Sequence, residues 1–184
     1  MQLLQKSDYK VMPWKNGHGE TSEIAKDPQS LWRLSAATVR QPGPFSEFRG
    51  YSRLLSIWQG EGLKLNDFEL KGDAVYSFQG EEPIFCQNLS PLVVDLGLIF
   101  KTGFIEARMR VHEITQTTTF LCKDTICFLF CADGHFQVNA VFVQSGDTLM
   151  LTHHESAEVI LTSPRVRLIC VEILDLSNLN NNFC

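Results

Sequence analysis

Leu54-Leu55-Ser56-Ile57-Trp58-Gln59-Gly60 is an apolar run closed by a glycine, and Gly72-Asp73 follows twelve residues after that glycine. The same arrangement returns 74 residues further on, where Phe128-Leu129-Phe130 leads to Gly134 and Gly146-Asp147 follows at the same interval. Beyond each Gly-Asp turn lie two more short apolar segments, residues 75–78 and 83–86 in the first copy and residues 149–152 and 158–161 in the second. An apolar strand, a hairpin, a Gly-Asp turn and two further strands make half of a small jelly roll. The repeat predicts two of them.

The rest of the chain agrees. Phe68-Glu69-Leu70-Lys71, Ala107-Arg108-Met109-Arg110-Val111-His112 and Phe136-Gln137-Val138-Asn139-Ala140 alternate as half-buried strands do. Residues 166–173 are β-branched enough for a central strand. Gly43-Pro44, Gly80-Glu81 and Ser163-Pro164 add turn signals, and no segment carries a sustained helical stripe. The expected fold is all-β, two fused barrels of similar build. One spans residues 1–105 and the other 106–176, with a polar, frayed tail at 177–184.

The chain has 184 residues, is 44% hydrophobic and carries a net charge of −5, enough apolar content for a full core. No basic stripe exists to serve a nucleic acid. The longest strictly apolar run, residues 126–132, is far shorter than a membrane span of about 20 residues. The first residues lack a basic stretch leading into an apolar one, so a secretory signal is not expected and the protein reads as cytoplasmic.

Metal binding is the first chemistry to weigh. Of the five histidines, His153 and His154 are adjacent and would point to opposite faces of a strand. His135 with His153 or His154 and Glu155 could be assembled only by folding, since no spacing demands it. None of the six cysteines forms a Cys-x-x-Cys pair. Cys127 and Cys131 would share one face of a buried strand as small apolar residues. No metal ligand, cofactor or catalytic residue is expected. A Gly-x-Ser-x-Gly elbow is absent, and Gly17-His18-Gly19 is too short for a phosphate loop.

Pro13-Trp14-Lys15-Asn16-Gly17-His18-Gly19-Glu20-Thr21-Ser22-Glu23 is different in kind. It gathers an aromatic ring, a cation, an amide, glycines, a hydroxyl and carboxylates, a mixture that suits a loop around a small polar ligand. A surface turn would account for Asn16-Gly17 but not for Trp14 beside Lys15 with Glu20 and Glu23 after them. Trp32-Arg33-Leu34-Ser35 reads as a strand with Arg33 and Ser35 on one face. A turn-rich stretch holding Phe45 and Ser46 leads to Arg53. Arg33 and Arg53 could each offer a forked donor to a carboxylate, or each could pair with Glu20, Glu23 or Glu47. Asp95 stands inside the apolar run Val93-Val94-Asp95-Leu96-Gly97-Leu98-Ile99, where burial is costly without a partner or a task.

Taken together, residues 12–25, Trp32-Arg33-Leu34-Ser35-Ala36-Ala37, the stretch from Gly43-Pro44-Phe45-Ser46 to Arg53, and Asp95 resemble the HutD/Ves family. The resemblance spans the chain, with its specific motifs in the first hundred residues. It implies a two-cupin (RmlC-like) fold. Members include proteins encoded with histidine-utilisation genes, thought to moderate that pathway, and proteins named for stress or cold induction. The family has no defined catalytic activity. This chain departs from the pattern at His18, where a third glycine is usual, at Arg49, where proline is usual, and at Gly97, where asparagine is common.

The expected ligand is a small anionic metabolite, a carboxylate. Its pocket would be lined by Trp14, Lys15, Asn16, Gly17, His18, Gly19, Glu20, Thr21, Glu23, Arg33, Ser35, Phe45, Ser46, Arg53 and Asp95. The alternatives are an enzyme, either a metal-free isomerase or epimerase with Asp95 and His18 as acid and base or a metal oxygenase on His135 and His153 or His154, and an interaction protein that pairs with a second copy as a homodimer.

Overall fold

The structure is a computed structural model that describes residues 1–176; the tail expected at 177–184 lies outside the described residues. Among the described residues nineteen strands follow in order. In the first half of the chain these are β1 (Gln2–Leu4), β2 (Lys10–Pro13), β3 (Gly19–Lys26), β4 (Trp32–Val39), β5 (Gly43–Pro44), β6 (Tyr51–Gln59), β7 (Leu63–Leu65), β8 (Phe68–Leu70), β9 (Val75–Gln79), β10 (Phe85–Asn88) and β11 (Val93–Lys101). The second half supplies β12 (Ile105–Ile114), β13 (Thr118–Leu121), β14 (Ile126–Asp133), β15 (His135–Val138), β16 (Val141–Gln144), β17 (Thr148–Thr152), β18 (Ser156–Leu161) and β19 (Val166–Asp175). No helix among the described residues is long and apolar enough to cross a membrane.

The chain divides into two compact units. Tyr9–Gly103 forms the first, whose six-stranded sheet β2-β3-β4-β11-β6-β9 and four-stranded sheet β5-β10-β7-β8 share a core. Leu55, Ile57 and Phe78 enter that core from the larger sheet, and Leu63, Leu65, Leu70 and Cys86 from the smaller. The second unit has a five-stranded sheet, β1-β17-β14-β19-β12, and a four-stranded one, β13-β18-β15-β16. Leu129, Leu149, Leu151 and Leu168 meet Phe136, Val138, Val143 and Val159 there. Contacts draw the boundary between Gly103 and Phe104. Met1–Asp8, reckoned with the first barrel in the sequence reading, groups with the second unit, where β1 pairs with β17 and the Lys6 amide donates to Asp147 Oδ1 at 2.9 Å.

The repeat read from the sequence is a repeat of backbone geometry. Gly60 and Gly134 both have positive φ, 91° and 80°. A Cβ on Gly60 would stand 2.5 Å from Leu92 O, 2.9 Å from Ser90 Oγ and 3.1 Å from Val93 Cα. On Gly134 it would stand 2.4 Å from Arg165 O, 2.7 Å from Ser163 Oγ and 3.2 Å from Val166 Cα. The strand end is pinned against the same neighbours in both units, and only glycine fits there.

Two local expectations change. The alternation predicted through Ala140 stops at Val138, because Asn139 and Ala140 both adopt positive φ (48° and 65°) and turn the chain into β16. Gly43-Pro44 is not a turn but the short edge strand β5, paired with Cys86 and Phe85 of β10. Proline is tolerated there because an edge position needs no inward donor.

Candidate functional site

One face of the six-stranded sheet sets out the site in rows. Ile99 of β11 lies opposite Arg33 of β4 on one side and Arg53 of β6 on the other. Gly97 lies between Ser35 and Leu55, and Asp95 between Ala37 and Ile57. Thr21 of β3 extends the last row beside Ala37. Because strands alternate faces with a period of two, Asp95, Gly97 and Ile99 share one side. Over this wall is a cavity of about 470 Å³, a size suited to a small metabolite. Pro13, Trp14, Lys15 and Asn16 close it from one edge, and Pro44, Phe45, Ser46 and Phe48 from another.

The charges in this cavity are poorly matched within the protein. Arg53 lies 4.8 Å from the Phe78 ring centroid, 4.9 Å from that of Phe45 and 5.5 Å from that of Phe48. Among the described residues it donates only to the carbonyl of Ser46, at 3.4 Å. Burial lowers its pKa to about 10; Asp95 opposes the shift and the nearby Arg33 adds to it. Arg33 packs 5.7 Å from the Phe48 ring centroid, and its buried Nε has no hydrogen-bond partner among the described residues. The three glutamates named as alternative partners for these two cations are taken. Glu20 pairs with Arg40 at 3.3 Å, Glu23 with Lys26 at 3.2 Å and Glu47 with Arg49 at 2.5 Å. Asp95, only 3% exposed, is pushed by burial up to about 7, with Arg53 pulling the other way.

The glycine-bearing segment is the turn of the β2–β3 hairpin. The Trp14 amide donates to Gly19 O at 2.9 Å, the Gly17 amide to Trp14 O at 3.0 Å and the His18 amide to Asn16 Oδ1 at 3.0 Å. Trp14 Nε1 donates to Thr21 Oγ1 at 2.9 Å, which fixes the indole as a wall. A Cβ on Gly19 would lie 2.3 Å from Thr38 O and 3.0 Å from the Trp14 ring, so glycine is required for that approach.

Ten of the residues named from the sequence thus line one cavity: Trp14, Lys15, Asn16, Thr21, Arg33, Ser35, Phe45, Ser46, Arg53 and Asp95. Gly17, His18, Gly19 and Glu20 are not among its lining residues; they form the turn and its anchors, and the Gly17 and His18 amides are used inside it. Glu23 lines a neighbouring pocket of about 290 Å³ with Lys26, Trp32 and Tyr51. The sequence reading missed Ala37, Leu55 and Ile99, each two residues from one it named or from Gly97, the position where it noted a departure from the family pattern. It also missed Phe48, which stacks on both arginines. The oxygenase ligand set does not gather. His135 Nδ1 meets Thr162 Oγ1 at 2.7 Å, His153 Nδ1 meets Asp124 O at 3.2 Å, and Glu155 is held by the N-terminal amine and Thr152.

Residues 6–168 match the HutD family model. A Pseudomonas putida protein described by its place in the hutC 3′ region is 35% identical over 150 residues, covering 76% of this chain and 77% of that one. The solved structure of HutD from Pseudomonas fluorescens, in a formate condition, aligns with a TM-score of 0.80 at 24% identity over 95% of this chain and 98% of that one. A cupin 2 conserved barrel domain protein from Leptotrichia buccalis aligns with a TM-score of 0.57 at 10% identity, covering 89% of this chain and 96% of that one. The fold is the cupin fold.

Proposed function

The chain belongs to the HutD family, and from that premise we propose that its first unit binds a small carboxylate metabolite without turning it over. One observation carries the reading. Arg33 and Arg53 stand on either side of Ile99 at the floor of the cavity, and among the described residues neither has a carboxylate partner. A buried guanidinium without an anion is costly, and a ligand carboxylate supplies the missing charge in the geometry that a guanidinium fork favours. Trp14 and Phe45 would wall the ligand, Ser35 and Thr21 would offer hydroxyls, and Lys15 at the mouth would attract anions. The hutC neighbourhood of the Pseudomonas putida relative favours a cytoplasmic role in regulating a catabolic pathway of the histidine-utilisation kind, in which occupancy of the cavity is the signal.

Calorimetric titration with urocanate, formylated amino acids and formate tests it. Binding of at least one, lost in Arg53→Met, is the expected result. Folded protein that gives no heat with any of them would end the proposal.

A second reading, a proton-transferring enzyme, rests on Asp95. A carboxyl that titrates near 7 is suited to general acid–base work, although His18 does not line the cavity to serve as its partner. Incubation with the tightest ligand followed by mass and chiral analysis separates the two: an altered ligand favours the enzyme.

A further inference from the structure

The second unit repeats the cavity wall of the first with different side chains. In the first unit Gly97 lies opposite Ser35 and Leu55, and Ile99 opposite Arg33 and Arg53. In the second, Cys170 of β19 lies opposite Arg110 of β12 and Leu129 of β14, and Glu172 opposite Arg108 and Cys127. Cys127, Cys170 and Glu172 therefore occupy the places of Arg53, Gly97 and Ile99.

There the two thiol sulfurs and one carboxylate oxygen all lie within 4.8 Å of one another. They are the one group of three such ligating side chains found to converge in this way among the described residues. As small core residues the cysteines need no further explanation, being 3% and 7% exposed. Glu172 stands beside them with a fixed orientation. Arg110 holds its carboxylate at 2.8 Å and Arg108 approaches it at 3.8 Å, so an oriented carboxylate is directed at two sulfurs buried at the rim of the core.

We propose that Cys127, Cys170 and Glu172 form a binding site for a thiophilic divalent cation of the zinc class. Two thiolates and a carboxylate suit a borderline-soft ion and not magnesium or calcium, which require oxygen shells. Bond lengths of about 2.3 Å to sulfur and 2.1 Å to oxygen set tetrahedral donors about 3.5–4 Å apart. Small side-chain rotations bring the three atoms to that spacing. The bound group would carry one net negative charge, which Arg108 and Arg110 offset while holding the ligating carboxylate in place. Glu172 is half-buried, and a water would complete the tetrahedron. The site is independent of the carboxylate cavity, and either could exist without the other.

Titration of the reduced, untagged full chain with Co²⁺ reads the site directly. The expected result is one equivalent bound, with a thiolate-to-cobalt charge-transfer absorption that Zn²⁺ abolishes by displacement. Cys127→Ala and Cys170→Ala should each remove the absorption, Glu172→Gln should weaken binding at least tenfold, and Cys86→Ala should change nothing. If the cysteine variants fail to fold, the wild-type stoichiometry and Glu172→Gln at the rim still decide. Absence of the absorption in wild type, its survival in Cys127→Ala, or full affinity in Glu172→Gln overturns the proposal. So does a Cys127–Cys170 disulfide in a protein that takes up no metal once reduced.

Discussion

Arg53 and Asp95 line the same cavity from adjacent antiparallel strands, yet among the described residues no ion pair joins them. Burial dominates both, lowering the guanidinium to about 10 and raising the carboxyl to about 7, and the attraction between them only partly offsets it. Below about pH 7 the carboxyl is neutral, and the arginines face the cavity without a competing anion. Above it the carboxylate ionises and repels a ligand of its own sign. Carboxylate affinity should therefore fall as pH rises through about 7, by up to tenfold per pH unit. Asp95→Asn should remove that dependence. Calorimetry at about pH 6 and about pH 8 checks it, and equal affinities for wild type at both would contradict the argument.

The same shift has a consequence for folding. The Asp95 carboxyl binds its proton more tightly in the folded protein than its ordinary value of 3.8 allows. Its contribution to stability is complete below about pH 4, where folded and unfolded chains are both protonated. It declines as pH rises, and is lost once the folded-state value near 7 is passed. The loss is at most about 4 kcal/mol. Asp95→Asn should match wild type in acid and exceed it increasingly toward neutral pH. Urea denaturation across this range tests the prediction, and a constant difference between the two proteins would count against it.

Arg53 should behave oppositely in binding and in stability. Its guanidinium is desolvated without a carboxylate, so replacing it by methionine removes an unmatched charge while a long side chain still fills the space among Phe45, Phe48 and Phe78. The melting temperature of the ligand-free protein should hold or rise, despite the loss of ring contacts worth about 0.5–2 kcal/mol. Ligand affinity should drop about a hundredfold, or about 3 kcal/mol, and Arg53→Lys should fall between because it keeps the charge but not the fork. A large loss of stability in Arg53→Met would assign the residue to the scaffold.

The fold was legible because Gly60 and Gly134 recur at a fixed spacing, and that spacing follows from the backbone each strand end must pass. Site residues were legible where the chain is locally odd: Trp14 beside Lys15, Asp95 in an apolar run, Arg33 and Ser35 on one face. What local composition could not give is direction. Trp14 and Asn16 face the cavity while Gly17 and His18 complete the turn, because hydrogen bonds within the hairpin use the turn's own amides, and Glu20 on β3 pairs with Arg40 instead. Nor could it give long-range pairing. Cys127 and Cys131 share one face of a buried strand, as their spacing implies, but Cys131 donates to the carbonyls of Asp133 and Gly134, while Cys127 meets Cys170 on the neighbouring strand, a pairing that spacing does not reveal.

Gly97, where the resemblance to the HutD/Ves family implies asparagine, can take a side chain at small structural cost. Its φ is not positive, so the backbone does not demand glycine. A Cβ there would stand 3.2 Å from Leu55 Cδ1, the free end of a side chain that can give by a few tenths of an ångström, and 3.6 Å from Asp95 Oδ1. Gly97→Asn should therefore fold with stability within about 1 kcal/mol of wild type. Its amide would enter the cavity beside Asp95, and an N–H donated to that carboxyl favours the ionised form. The pH at which carboxylate affinity declines should then move below its wild-type midpoint, and ligands large enough to need the space over Gly97 should bind more weakly than formate does. Matched titrations with formate and a formylated amino acid, at two pH values, read both effects. An unchanged midpoint together with unchanged selectivity would mean that the side chain at this position does not face the ligand.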